Sequence, residues 1–145
     1  MTTIFFDMDG TLADLYGVEN WLEYLQAEDT APYTEAVPLL NLSALARRLN
    51  KLHEVGYAVE VISWTAKNST DEYDKAVAAA KLEWLGTHLK SVKFQKINIV
   101  PYGTPKDLFR HSKNDILFDD EEQNRKNWNG IAYDVDKILE VLKNV

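Results

Sequence analysis

"TTIFFDMDGTLADL" (residues 2–15) runs three apolar residues, Ile4, Phe5 and Phe6, straight into two aspartates, Asp7 and Asp9, followed at once by Gly10 and Thr11. A short, continuous apolar run closed by a glycine is the pattern of a strand buried on both faces. Two carboxylates at the end of such a strand repel each other, and burial makes the repulsion worse, unless a cation stands nearby. The rest of the chain has to explain that pair.

Working outward, similar apolar runs occur at 58–62 (AVEVI), 96–100 (KINIV), 115–118 (DILF) and 131–133 (IAY). Helical spacing fills the intervals. Leu42, Leu45, Leu49 and Leu52 make one apolar stripe over 42–55. Residues 70–90 form an alanine-rich helix in which Ser69 and Glu72 fit a capping box. A last helix follows Asp134 with Val135, Ile138, Leu139 and Leu142. Strands alternating with helices predict an α/β fold: a Rossmann-like, doubly wound parallel sheet of about five strands, with right-handed crossovers. Residues 1–145 read as one domain, with a small lid inserted at about 12–38. Within the lid, "GVENWLEYLQAE" reads as a short helix, and "DTAPYTEAVP", with two prolines, as irregular chain.

Ligands of open parallel sheets collect outside the carboxyl ends of the strands. The unusual residues fall there together. The first strand ends at Asp7 and Asp9, the second at Ser63, Trp64 and Thr65, and the fourth at Asp119 and Asp120. The third is followed by "PYGTPKDL", where Thr104 reads as an N-cap, Pro105 as the first helical residue and Lys106 as the next. A lysine there suits a bound anion such as phosphate. Asp7, Asp9 and one or both of Asp119 and Asp120 suit a hard divalent ion, Mg²⁺, held by carboxylates and water. His53, His88 and His111 lie away from this edge and carry no assigned role.

Composition narrows the partners. The net charge is −7, and Met1 to Ala46 contain no Lys, Arg or His. That acidic third disfavours a nucleic-acid backbone without ruling one out. No apolar run approaches the ~18 residues of a membrane helix. The absence of cysteine and of a visible leader gives a cytoplasmic expectation.

The ordered set "DMDGT", Ser63 after "VEVI", Lys106 and "ILFDD" resembles the four motifs of the haloacid dehalogenase (HAD) superfamily of phosphohydrolases, over essentially the whole chain. The resemblance implies a Mg²⁺-dependent phosphomonoesterase. Asp7 would be the nucleophile that forms an aspartyl-phosphate, and Asp9 the general acid and then the general base. The ion would be held by the Asp7 side chain, the Asp9 carbonyl, and Asp119 or Asp120. Ser63 and Lys106 would stabilise the phosphoryl oxygens. Gly10 would allow the turn, Thr11 would fix Asp9, and Thr65 would stand in for Ser63 if the second strand ends later. Asp9 favours a phosphatase over a dehalogenase.

The intervals between motifs leave no space for a large cap domain. Two branches look similar: the small 5′-nucleotidases (deoxyribonucleotidase-like) and the polynucleotide 3′-phosphatases. A small phosphorylated substrate, a nucleotide, is favoured, with Trp64 and the lid aromatics Tyr16, Trp21 and Tyr33 as stacking surfaces. The rival from another class is a non-catalytic protein of this fold that binds phosphate or a partner.

Overall fold

Ile4, Phe5 and Phe6 lie in β1 (Thr3–Phe6), and none of the three is accessible to solvent in the computed structural model, which describes residues 1–145. A strand this apolar must sit in the middle of a sheet covered on both faces. It does. Strands β2 (Ala58–Trp64), β3 (Lys96–Val100), β4 (Ile116–Phe118) and β5 (Ile131–Tyr133) join it in the order β3-β2-β1-β4-β5, every pair parallel. The predicted α/β class and strand number are therefore met, within two residues at each boundary.

Alternation along the strands builds two unequal layers. Ile4, Phe6, Val59, Val61, Ile116 and Phe118 point into the larger core. Three helices cover that face. From α3 (Leu42–Glu54) come all four leucines of the predicted stripe, from α4 (Asp71–His88) Trp84 and Leu85, and from α6 (Ile138–Lys143) Ile138 and Leu142. Phe5, Ile62 and Leu117 point the other way and meet Trp128, which lies just after α5 (Glu122–Asn127). This thinner face also buries Glu60, whose carboxylate is bound by His111 Nε2 at 2.6 Å and Asn98 Nδ2 at 3.1 Å.

The segment after β1 departs from its sequence reading. It holds a 3₁₀ turn (Leu15–Gly17) and two short helices, α1 (Trp21–Gln26) and α2 (Ala31–Glu35). The stretch read as irregular thus contains α2, with Pro32 in its first turn, where a missing N–H costs nothing. Tyr33 from α2 and Leu15 pack on Tyr73, Val77 and Ala80 of α4. The cap of α4 also differs. Thr70, not Ser69, accepts the Tyr73 N–H, at 3.2 Å. No helix is long and apolar enough to cross a membrane.

Candidate active site

Just past β1 the chain turns back sharply. The N–H groups of Thr11, Leu12 and Ala13 all donate to the Met8 carbonyl, at 2.9 to 3.1 Å. Gly10 sits at φ +79° in this turn, and a Cβ there would run into the Asp120 carboxylate. The turn presents Asp7 and Asp9 beside Asp119 and Asp120, because β1 and β4 are adjacent and in register, with Phe6 opposite Phe118. Ligand oxygens of Asp7, Asp119 and Asp120 all lie within 4.8 Å of one another.

Two lysines neutralise this edge. Lys106, 4% exposed, donates to Asp7 Oδ1 at 2.9 Å and Asp119 Oδ2 at 2.7 Å. It begins a four-residue 3₁₀ turn (Lys106–Phe109) without a side-chain cap, and the Thr104 hydroxyl bonds Pro101 O instead, at 2.6 Å. The predicted helical start is thus met only by this short turn, one residue later than expected and with Pro105 instead of Thr104 at the cap position. What fixes Lys106 is the pair of carboxylates. Lys81, 1% exposed, projects from α4 to Asp9 Oδ2 (2.8 Å), Ser63 Oγ (2.6 Å) and the Trp64 carbonyl (2.7 Å).

Lys81 is absent from the sequence reading. Its signal is positional: Tyr73, Val77, Ala80, Trp84 and Leu85 form the buried stripe of α4, and Lys81 falls within it. A lysine on an apolar stripe calls for a buried partner. Asn124 was also missed; it donates to Asp119 Oδ2 at 3.1 Å.

Several expected contacts are redirected. The Thr11 hydroxyl donates to Asp7 Oδ2 at 3.0 Å, so it holds Asp7 and not Asp9. β2 continues through Trp64, and Ser63 is fully buried against Lys81. Thr65 takes the place in the cavity wall, and its hydroxyl is the one buried side-chain polar atom without a partner. The Trp64 indole N–H donates to Thr104 O at 2.8 Å, with Tyr102 5.0 Å away at 60°.

The carboxylates respond to crowding in different directions. Burial pushes Asp120 up to about 8, and the neighbouring Asp7 charge adds to it. Asp119 rises to about 6 for the same two reasons. Asp7 is the exception: burial pushes it up, but the charge and hydrogen bond of Lys106 outweigh burial and hold it below the usual range. Burial also raises Asp9, against the pull of Lys81. Three hard oxygen donors, one lysine and a proton retained near neutral pH mark a surplus of negative charge. A hard divalent cation matches that donor set. The Asp9 side chain stands outside it, turned to Lys81.

A cavity of about 300 Å³ opens in front of the carboxylates. The lid supplies Tyr16, Trp21, Leu22 and Tyr33 to its wall, and the opposite side supplies Trp64, Thr65, Lys67 and Tyr102.

The strand order, with Asp7 after the first strand beside Asp119 and Asp120 at the end of its neighbour, makes this a Rossmann-like, doubly wound α/β fold with an acidic site at the carboxyl ends of its central strands. One solved structure of this fold is the crystal structure of D,D-heptose 1,7-bisphosphate phosphatase from Burkholderia thailandensis. It is similar to this chain with a TM-score of 0.53 and 14% sequence identity, over 87% of this chain and 70% of that one. No family model matches the sequence, and no curated protein matches it either.

Proposed function

We propose that the chain is a Mg²⁺-dependent phosphomonoester hydrolase working through an aspartyl-phosphate. The observation that carries the reading is the cluster of Asp7, Asp119 and Asp120 beside the buried Lys106, at the carboxyl ends of adjacent strands and open to a cavity. The shared fold with a bisphosphate phosphatase supports the class.

In this reading Asp7, kept ionised by Lys106 and oriented by Thr11, attacks phosphorus. Asp9 gives its proton to the leaving oxygen, then takes one from the water that hydrolyses the intermediate. Lys106 and the Thr65 hydroxyl face the charge that develops on the phosphoryl oxygens. Asp7, Asp120 and the Asp9 carbonyl would hold the ion. Asp120 suits it better than Asp119, whose two oxygens already accept from Glu121 N, Lys106 and Asn124. Mg²⁺, when bound, supplies charge neutralisation at the phosphoryl group.

A nucleotide is the favoured substrate, because aromatic rings line both sides of the cavity. A sugar bisphosphate fits less well: beyond Lys106, the cation in the wall is Lys67, which lies 5.9 Å over the Tyr102 ring. The test is Mg²⁺-dependent phosphate release from nucleoside 5′- and 3′-monophosphates, sugar phosphates and a 3′-phosphorylated oligonucleotide. Release is expected from the mononucleotides and should vanish with Asp7→Asn. Preference for the oligonucleotide would favour the polynucleotide 3′-phosphatase branch. Full activity in Asp7→Asn would overturn the mechanism, and a folded, Mg²⁺-binding protein inert on the whole panel would favour a binding role.

A further inference from the structure

Lys81 has no part in the mechanism above, yet at 1% exposure it is more deeply buried than Lys106. It rises from a helix stripe where an apolar residue would pack at no electrostatic cost, and a buried ammonium persists only where its protons are satisfied. All three are: Asp9 Oδ2, Ser63 Oγ and Trp64 O lie 2.6 to 2.8 Å away. Tyr33 closes the remaining side, its ring centre 5.2 Å from Nζ. The ammonium therefore ties Asp9 to the end of β2. It reaches only one of the two Asp9 oxygens; Oδ1 has no protein partner, and Asp9 lines the cavity.

From this geometry we infer that Lys81 is a positioning residue for proton transfer by Asp9. The inference rests on the phosphatase reading. An ammonium can only donate, so it occupies Oδ2 as an acceptor and leaves the acid's proton on Oδ1, the oxygen available to the cavity. In the first step the Asp7 oxygen–phosphorus bond forms as the bond from phosphorus to the leaving oxygen breaks, and the Oδ1 proton passes to that oxygen. In the second, water attacks phosphorus, its proton returns to Oδ1, and the bond to Asp7 breaks, releasing phosphate. Without Lys81, Asp9 can rotate, and its proton is shared between both oxygens.

The consequence depends on the leaving group. An alkyl alkoxide needs a proton as it departs, whereas p-nitrophenolate leaves without one. Lys81→Met and Lys81→Gln are compared with wild type on an alkyl phosphate and on p-nitrophenyl phosphate, with folding checked by circular dichroism. General acid catalysis contributes on the order of 10²–10⁴-fold. The loss of kcat/KM on the alkyl ester should exceed the loss on the aryl ester by at least about tenfold. The aryl ester should also give a burst of p-nitrophenol, because the second step still needs Asp9. If Lys81→Met does not fold, Lys81→Gln, which is neutral and one bond shorter than lysine, carries the same ratio. Equal losses on both esters, without a burst, would reduce Lys81 to a structural charge and overturn the inference. A wild-type protein inert on both esters would overturn the phosphatase reading and this inference with it, an outcome distinct from equal losses in an active enzyme.

Discussion

Lys106 and Lys81 stand on either side of the Asp7–Asp9 pair, both nearly inaccessible to solvent, and they leave the two halves of the site in different electrostatic states. On the β1–β4 side, a single ammonium faces Asp7 and Asp119, with Asp120 close by, so negative charge is in excess. On the β2–α4 side, one ammonium meets one carboxylate, and its other protons go to neutral oxygens. In the proposed reading a cation completes the first half. The second is complete as it stands. Buried charge therefore marks different things a few ångströms apart: a binding site in one half, an internal brace in the other.

Removing each lysine tests that difference most strongly. Breaking a buried pair from one side costs about 3–5 kcal/mol. Lys106→Met should fall in this range without Mg²⁺, and kcat should drop by roughly 10²–10³-fold, as for loss of a donor to developing charge. Measured against wild type at the same saturating Mg²⁺, Lys106→Met should recover part of the lost stability, because the ion takes over neutralisation of Asp7. Lys81→Met should lose a comparable amount and recover none of that difference, since the Asp9 side chain is outside the carboxylate cluster. Urea unfolding with and without Mg²⁺ reads both; equal recovery would erase the distinction.

Next in size is the pH dependence of the first half. Asp120, pushed up to about 8, binds its proton more tightly folded than unfolded. Its contribution to metal-free stability is therefore fully present below the ordinary carboxylate range and is lost as pH rises towards about 8. Mg²⁺ needs the ionised form, so its affinity should weaken by up to about tenfold for each pH unit below 8. Calorimetric titration at pH 6 and pH 8.5 should find much tighter binding at the higher value. Equal affinities would mean that Asp120 is not the titrating ligand.

Smaller effects belong to the cavity walls. Trp64→Ala should raise KM for a nucleotide by roughly tenfold, the equivalent of one stacking contact, and have less effect on a phosphate ester without a ring; equal effects would remove stacking from the account. Thr65→Val is the mildest for stability. An unpartnered buried hydroxyl costs about 1–3 kcal/mol, so valine should leave the melting temperature unchanged or raise it, while kcat falls, because the hydroxyl faces charge that develops in the transition state. A marked loss of stability would show that the hydroxyl has a partner within the protein.

The parts of this molecule that are readable in the sequence are those where local pattern and tertiary burial agree. β1 is an unbroken apolar run and sits mid-sheet; the four leucines of α3 are spaced for one face and all are buried. The acids after β1 and β4 stand out because they end apolar strands. Lys106 is found at the site at the start of a short 3₁₀ turn, but what holds it is Asp7 and Asp119, which the local sequence around it does not reveal. Lys81 is hidden because a run of alanines precedes it and leaves the face of α4 ambiguous. Its inward course depends on Asp9, far away along the chain. The lid helices, at six and five residues, are too short for any period to declare itself.

Every step of the proposed reaction passes through phosphorylation of Asp7. Acid quench during turnover of a good substrate, followed by digestion and mass spectrometry, looks for a phosphoryl group on the peptide that contains Asp7. The phosphate should appear there, be labile at alkaline pH as an acyl phosphate is, depend on Mg²⁺, and be absent from Asp7→Asn. Turnover that proceeds with no phosphopeptide in wild type or in Asp9→Asn, where the intermediate should build up, would contradict the account.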